Sequence, residues 1–154
     1  GNAAQALGAA NATFADPYGL SAKNTATARD MGLIAAKVFT DARLLPAWAC
    51  TKRILHIDGK RPRDVALKTS LEILGEGSVI GAKTGSYMSK KIYNLVAAWH
   101  APNGQTVVGV VLGSNSNAAR YGEMRSLIDA LPRDFPELGV TAADASPRPV
   151  GACD

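Results

Sequence analysis

The stretch of this chain best equipped for chemistry is Gly81-Ala82-Lys83-Thr84-Gly85-Ser86, set between Ser78-Val79-Ile80 and the apolar run Ile92-Tyr93-Asn94-Leu95-Val96-Ala97-Ala98-Trp99. Val79 and Ile80 favour extended backbone. Gly81 and Gly85 carry no Cβ, so a second backbone or a ligand can approach closely. An ammonium and a hydroxyl then occupy adjacent strand positions between two open ones. Taken alone, the triplet also reads as an edge strand with a surface lysine. His56 and His100 have no Cys, Asp or Glu partner at ligand spacing and read as strand or loop residues, so no metal site is expected. Cys50 and Cys153 read as unpaired thiols, which make neither a disulfide framework nor a zinc site and leave the compartment open.

The elements that must position this stretch follow from composition and periodicity. With 154 residues, 47% hydrophobic and 19% charged, the chain is long and apolar enough for one folded domain. The net charge of +4 is scattered among few aromatics, which argues for a solvated surface and against a nucleic-acid groove. No apolar run is long enough to cross a membrane, and no signal peptide opens the chain. Gly1-Asn2-Ala3-Ala4 reads as the middle of a helix, so the chain is expected to be a piece of a longer, processed protein.

Residues 2–8 favour a helix with Gly8 as its cap. Asp16-Pro17 and Tyr18-Gly19 mark a loop that Phe14 and Leu20 are expected to pin to a core. Thr25 or Thr27 caps the next helix, Asp30 suits its first turn, and Met31, Ile34, Ala35, Val38 and Phe39 form one apolar stripe. A short helix over about 43–50 is expected to bury Leu44, Leu45 and Trp48. Asp58-Gly59-Lys60 signals a hairpin, and residues 68–77 form a connection. The Lys-Thr-Gly strand, its partner at roughly 92–100, and Thr106 to Gly113 follow. The apolar run of the last suggests a central strand covered on both faces. A helix over 117–131 is expected to stop at Pro132. Residues 139–154 read as a tail or linker.

Lys-Thr-Gly near a strand end is one of the signatures of penicillin-binding proteins and class A β-lactamases. In order, Ala6-Leu7-Gly8, the loop residues Asn11, Thr13 and Phe14, Asp16-Pro17-x-Gly19-Leu20, Thr27-Ala28-Arg29-Asp30, Lys83-Thr84-Gly85, Asn94-Leu95-Val96, and Val110-Val111-Leu112-Gly113 before Arg120 resemble the C-terminal half of the catalytic domain of the serine D-alanyl-D-alanine carboxypeptidases. The resemblance covers about residues 3–131. It implies an α/β (α+β) fold, an antiparallel sheet flanked by helices and incomplete at its N-terminal side. Residues 1–138 would be the C-terminal part of that domain, with a helical segment 1–50, hairpin and sheet 51–113, and a terminal helix 117–131.

The resemblance also implies acyl transfer. A serine attacks the penultimate D-Ala of a peptidoglycan stem peptide, the terminal D-Ala leaves, and water hydrolyses the acyl-enzyme. Lys83 would supply positive charge, Thr84 a hydroxyl donor, Gly85 room for substrate, and the Ser86 N–H one oxyanion contact. Lys68, in Lys68-Thr69-Ser70 where the family carries Arg-Asn or Thr-Asn, would offer a cation to the substrate carboxylate. No Ser in this sequence is followed three places later by Lys, and no Ser-x-Asn occurs. The chain alone is therefore expected to be inactive. No cofactor is implied. The implied partners are the stem peptide or a β-lactam in the intact protein, the missing N-terminal half, and a second copy through an exposed edge, with no nucleic acid. The implied location is periplasmic or extracytoplasmic, at the cell wall. A non-catalytic wall-binding module on the same fold is the alternative.

Overall fold

The computed structural model describes residues 2–138. The elements run α1 (Asn2–Ala6), α2 (Ala28–Phe39), α3 (Leu45–Trp48), β1 (Lys52–Ile57), β2 (Arg63–Lys68), β3 (Val79–Tyr87), β4 (Ile92–His100), β5 (Thr106–Ser114) and α4 (Asn117–Asp134). Strands β3, β4 and β5 form an antiparallel sheet in that order, and β1 and β2 form a separate antiparallel pair. The tail expected over 139–154 lies outside the described residues.

The sheet is covered on both faces. On one, Val79, Ala82, Leu95, Ala97, Trp99 and Val111 pack with Tyr121, Met124 and Leu131 of α4. On the other, Ile80, Val96 and Ala98 pack with Ala35 and Phe39 of α2, with Leu45 and Trp48 of α3 beside them. Burial of the Val, Leu, Ile, Phe and Met side chains among them contributes about 1.5–3 kcal/mol each. The central strand is β4, not β5. An apolar run reports cover on both faces, and β5 has that cover from its place between α2 and α4 while its outer edge stays open.

Helix α2 begins on a capping box. The Thr27 hydroxyl accepts from Asp30 N–H at 3.1 Å, and the Asp30 carboxylate accepts from Thr27 N–H at 3.1 Å. Asp30 is fully buried and also accepts from the Thr27 hydroxyl at 2.6 Å. The hydroxyl bond, with help from the amides of Thr27 and Asn11, outweighs burial and holds the carboxyl below its ordinary range.

Four further expectations are corrected. Leu20 is 87% exposed and Phe14 is exposed, so they do not pin the 13–25 loop. The Asp16 carboxylate does so instead, accepting from the N–H groups of Tyr18, Gly19, Leu20 and Ser21. Leu44 is exposed, and Leu45 and Trp48 are half-buried, because a four-residue helix shields only the rim of the second cluster. Pro132 does not stop α4, which runs on to Asp134 and closes with Phe135 N–H on Leu131 O at 2.8 Å. Cys50 is disulfide-bonded rather than a free thiol. Sequence spacing cannot show such a pair, which needs only a close approach in space.

Candidate functional site

Strand β3 lies at the edge of its sheet, with β4 as its partner. Lys83 pairs with Val96, Thr84 with Leu95, Gly85 with Asn94 and Ser86 with Tyr93. Paired residues share a face and successive residues alternate. Thr84 and Ser86 therefore lie on the α4 side and Lys83 on the α2 side. Lys83 is exposed, and its Nζ donates to Thr84 O at 2.5 Å. The two glycines differ. A Cβ on Gly81 would sit 2.9 Å from the Phe39 ring, so that position serves core packing. A Cβ on Gly85 would meet nothing nearer than Asn94, at 3.9 Å, which leaves the strand surface open there.

A cavity of about 570 Å³ opens between the base of the hairpin and the start of α4. Its polar lining includes Lys68, Thr69, Ser70, Glu72, Asn117 and Arg120. Tyr121 fixes this wall, donating to Ser70 O at 3.1 Å and accepting from Glu72 N–H at 3.3 Å. Of the residues singled out from sequence, Lys68 lines the cavity. Lys83, Thr84, Gly85 and Ser86 do not.

Arg120 joins the two regions. It is 5% exposed. One terminal nitrogen donates to Ser86 Oγ at 2.9 Å, to Asn94 O at 3.3 Å and to Gly85 O at 3.5 Å. The other donates to Asn117 Oδ1, and Asn117 Nδ2 donates to Glu72 Oε1 at 2.8 Å. The guanidinium also lies 5.2 Å from the Tyr121 ring and 5.7 Å from the Tyr93 ring. Its Nε is buried without a partner. Among the described ion pairs none involves Arg120. The direct partners of this buried cation are neutral oxygens, and Glu72, whose carboxylate lines the same cavity, reaches it only through Asn117, so the guanidinium can still take an anion.

Arg120 was not among the site residues expected from sequence. The signal was there: a cation in the first turn of α4, behind the Ser116 cap, opposes the helix dipole and needs a reason. Among the described residues no three His, Cys, Asp or Glu side chains gather as a metal site. Nor is any helix there long and apolar enough to cross a membrane.

The family model for D-alanyl-D-alanine carboxypeptidase matches residues 1–116. No curated protein matches the chain. Among solved structures, the DD-transpeptidase of a Streptomyces strain superposes with a TM-score of 0.74 at 28% identity, covering 83% of this chain and 50% of that one. An arginine-to-leucine and a serine-to-alanine variant of that enzyme superpose with the same values. The chain thus spans 50% of the length of the solved structures it resembles.

Proposed function

The chain belongs to the D-alanyl-D-alanine carboxypeptidase family of serine peptidases, and from that premise we propose that residues 1–138 are the C-terminal part of a catalytic domain and form one side of its acyl-transfer cleft. The substrate is a peptidoglycan stem peptide ending in D-Ala-D-Ala, and a β-lactam competes for the same place. The carrying observation is Arg120, a buried cation in none of the described ion pairs, hydrogen-bonded to Ser86 just past Lys83-Thr84-Gly85 and lining the same cavity as Lys68 and Glu72.

The substrate's terminal carboxylate is anionic. Lys68 and the Arg120 charge draw it toward the α4 side of β3, where the hydroxyls of Thr84 and Ser86 can donate to it. The open surface at Gly85 lets the peptide lie against the strand. The Ser86 N–H is one donor to the oxyanion, and loss of such a donor typically slows the reaction about a hundredfold to a thousandfold. Lys83 lies on the exposed α2 side, where its ammonium supplies positive charge to the cleft once the rest of the domain covers that edge.

The nucleophile comes from the rest of the domain, because this sequence holds no Ser-x-x-Lys. The serine oxygen adds to the carbonyl carbon of the penultimate residue, the peptide bond to the terminal D-Ala breaks, and water releases the acyl group. The disulfide at Cys50 supports an oxidising, extracytoplasmic location.

A fluorescent penicillin tests this reading. The 154-residue chain should take up no covalent label. A longer form carrying the preceding half should take up one per molecule, and Lys83→Ala in that form should slow labelling while leaving the fold intact. Labelling of the longer form that Lys83→Ala and Arg120→Ala leave unchanged would overturn the assignment. The missing nucleophile favours one second reading, a non-catalytic wall-binding module. It would be supported if the native protein's intact mass corresponds to a start near Gly1.

A further inference from the structure

The β1–β2 hairpin takes no part in the sheet or in the site beyond Lys68 at its base. Both strands are exposed almost throughout. Residues 52–68 carry six Lys and Arg against two Asp, and the rest of the chain balances eleven against eleven. The whole net charge of +4 therefore resides on this arm.

The register sorts these side chains by face. Arg53 pairs with Leu67, Leu55 with Val65 and Ile57 with Arg63 on one face. That face presents four aliphatic side chains, an arginine at each of two opposite corners, and no carboxylate. Leu55, Ile57 and Leu67 are exposed, and Val65 is half-buried. The other face holds Lys52 with Lys68, Ile54 with Ala66, and His56 with Asp64. There the His56 ring nitrogen and the Asp64 carboxylate lie 2.5 Å apart. Lys60 and Arg61 extend the cationic set at the exposed tip. A lone two-stranded hairpin is marginal in water, so a surface that covers its apolar face stabilises it.

We propose that the Arg53/Leu55/Ile57/Arg63/Val65/Leu67 face is a docking surface for an anionic lipid bilayer. The aliphatic side chains enter the boundary between headgroups and acyl chains, and Arg53, Arg63, Lys60 and Arg61 meet lipid phosphates. Charge selects this occupant. A second copy would bring two cationic arms together. A soluble polyanion would satisfy the arginines and leave four aliphatic side chains wet. An anionic interface accepts both.

Vesicle sedimentation of the 154-residue chain tests the proposal. Vesicles containing phosphatidylglycerol in phosphatidylcholine should pull the protein down, and phosphatidylcholine alone should not. Added salt should release it. Arg53→Gln with Arg63→Gln should weaken partitioning about twenty-five-fold, at about fivefold per cation near the surface. Leu55→Ser with Ile57→Ser should weaken it by at least about tenfold, while Ile54→Ser on the other face should change it by less than about twofold.

All these side chains are exposed, so the variants should keep the fold, which the near-ultraviolet signal of Trp48 and Trp99 reports. Equal binding to neutral vesicles would overturn the proposal. So would full binding by the Leu55/Ile57 variant, which would mark a soluble polyanion as the partner. Recruitment that vanishes in a longer form of the protein would assign the face to the rest of the domain and overturn it too.

Discussion

The helix-covered sheet and the β1–β2 hairpin are both antiparallel and both rich in Val, Ile and Leu, yet the first is packed on two faces and the second on neither. The difference lies in what each sequence places next in line. Strand β5 runs straight into α4, whose Tyr121, Met124 and Leu131 close one face of the sheet, while α2 closes the other. The hairpin is followed by the 69–78 connection, and its aliphatic residues alternate with Arg, Lys and His. Strand residues alone thus do not make a core; a neighbouring element must bring the matching apolar surface. The candidate site lies at the seam of the two regions, where Tyr121 ties the connection to α4.

The contrast predicts a graded set of stability effects. Met124→Ala, in the packed body, should cost about 2–5 kcal/mol in chemical denaturation. A cost below about 1 kcal/mol would mean that the α4 face of the sheet is loosely packed. Tyr121→Phe keeps the ring and removes the hydroxyl that serves Ser70 O and Glu72 N–H, so a loss of about 1–3 kcal/mol is expected. The same variant should alter the cavity, measurable as amide shifts over residues 69–74.

Thr27→Ala should cost about 1 kcal/mol through the lost cap. It should also change the response to acid. The folded-state pKa of Asp30 lies below its unfolded value near 4. The stability that Asp30 contributes is therefore complete above that value and drains away as pH falls through the folded one. Thr27→Ala should flatten this acid limb in a Tm-versus-pH series; an unchanged slope would remove the hydroxyl as its cause.

Smaller effects belong to the surface. Arg125 binds Glu76 through two contacts of 2.6 and 2.8 Å, with both side chains more than a third exposed. Arg125→Ala should cost only about 0.2–1 kcal/mol, less at high salt. Leu55→Ser on the hairpin should shift stability by no more than about 0.5 kcal/mol in the absence of vesicles. A large loss there would show that the hairpin already packs on the body in solution, and the contrast would fail.

Much of this arrangement is legible in the residues. Thr27 and Asp30 announce the start of α2, Asp58-Gly59-Lys60 the hairpin, and Gly81 to Ser86 the edge strand with its open surface at Gly85. Features that depend on three-dimensional neighbours are not. The Asp16 carboxylate organises its loop through four amides within five residues, a geometry that leaves Leu20 in water although its type suggests burial. Which of three apolar strands is central depends on pairing order, which hydrophobic runs do not encode. Arg120 reaches Ser86 across 34 positions, so the site's buried cation emerges only once α4 is laid on the sheet.

The central claim is that Lys68, Arg120 and the Ser86 end of β3 receive the carboxylate of a D-Ala-D-Ala peptide. Amide and side-chain chemical shifts of the isotope-labelled chain, followed while an acetylated D-Ala-D-Ala peptide is added, test it most directly. Shifts should gather at residues 68–72, 85–87 and 117–120 and should vanish when the peptide ends in a carboxamide. Shifts centred elsewhere, or equal shifts from the uncharged peptide, would contradict the account.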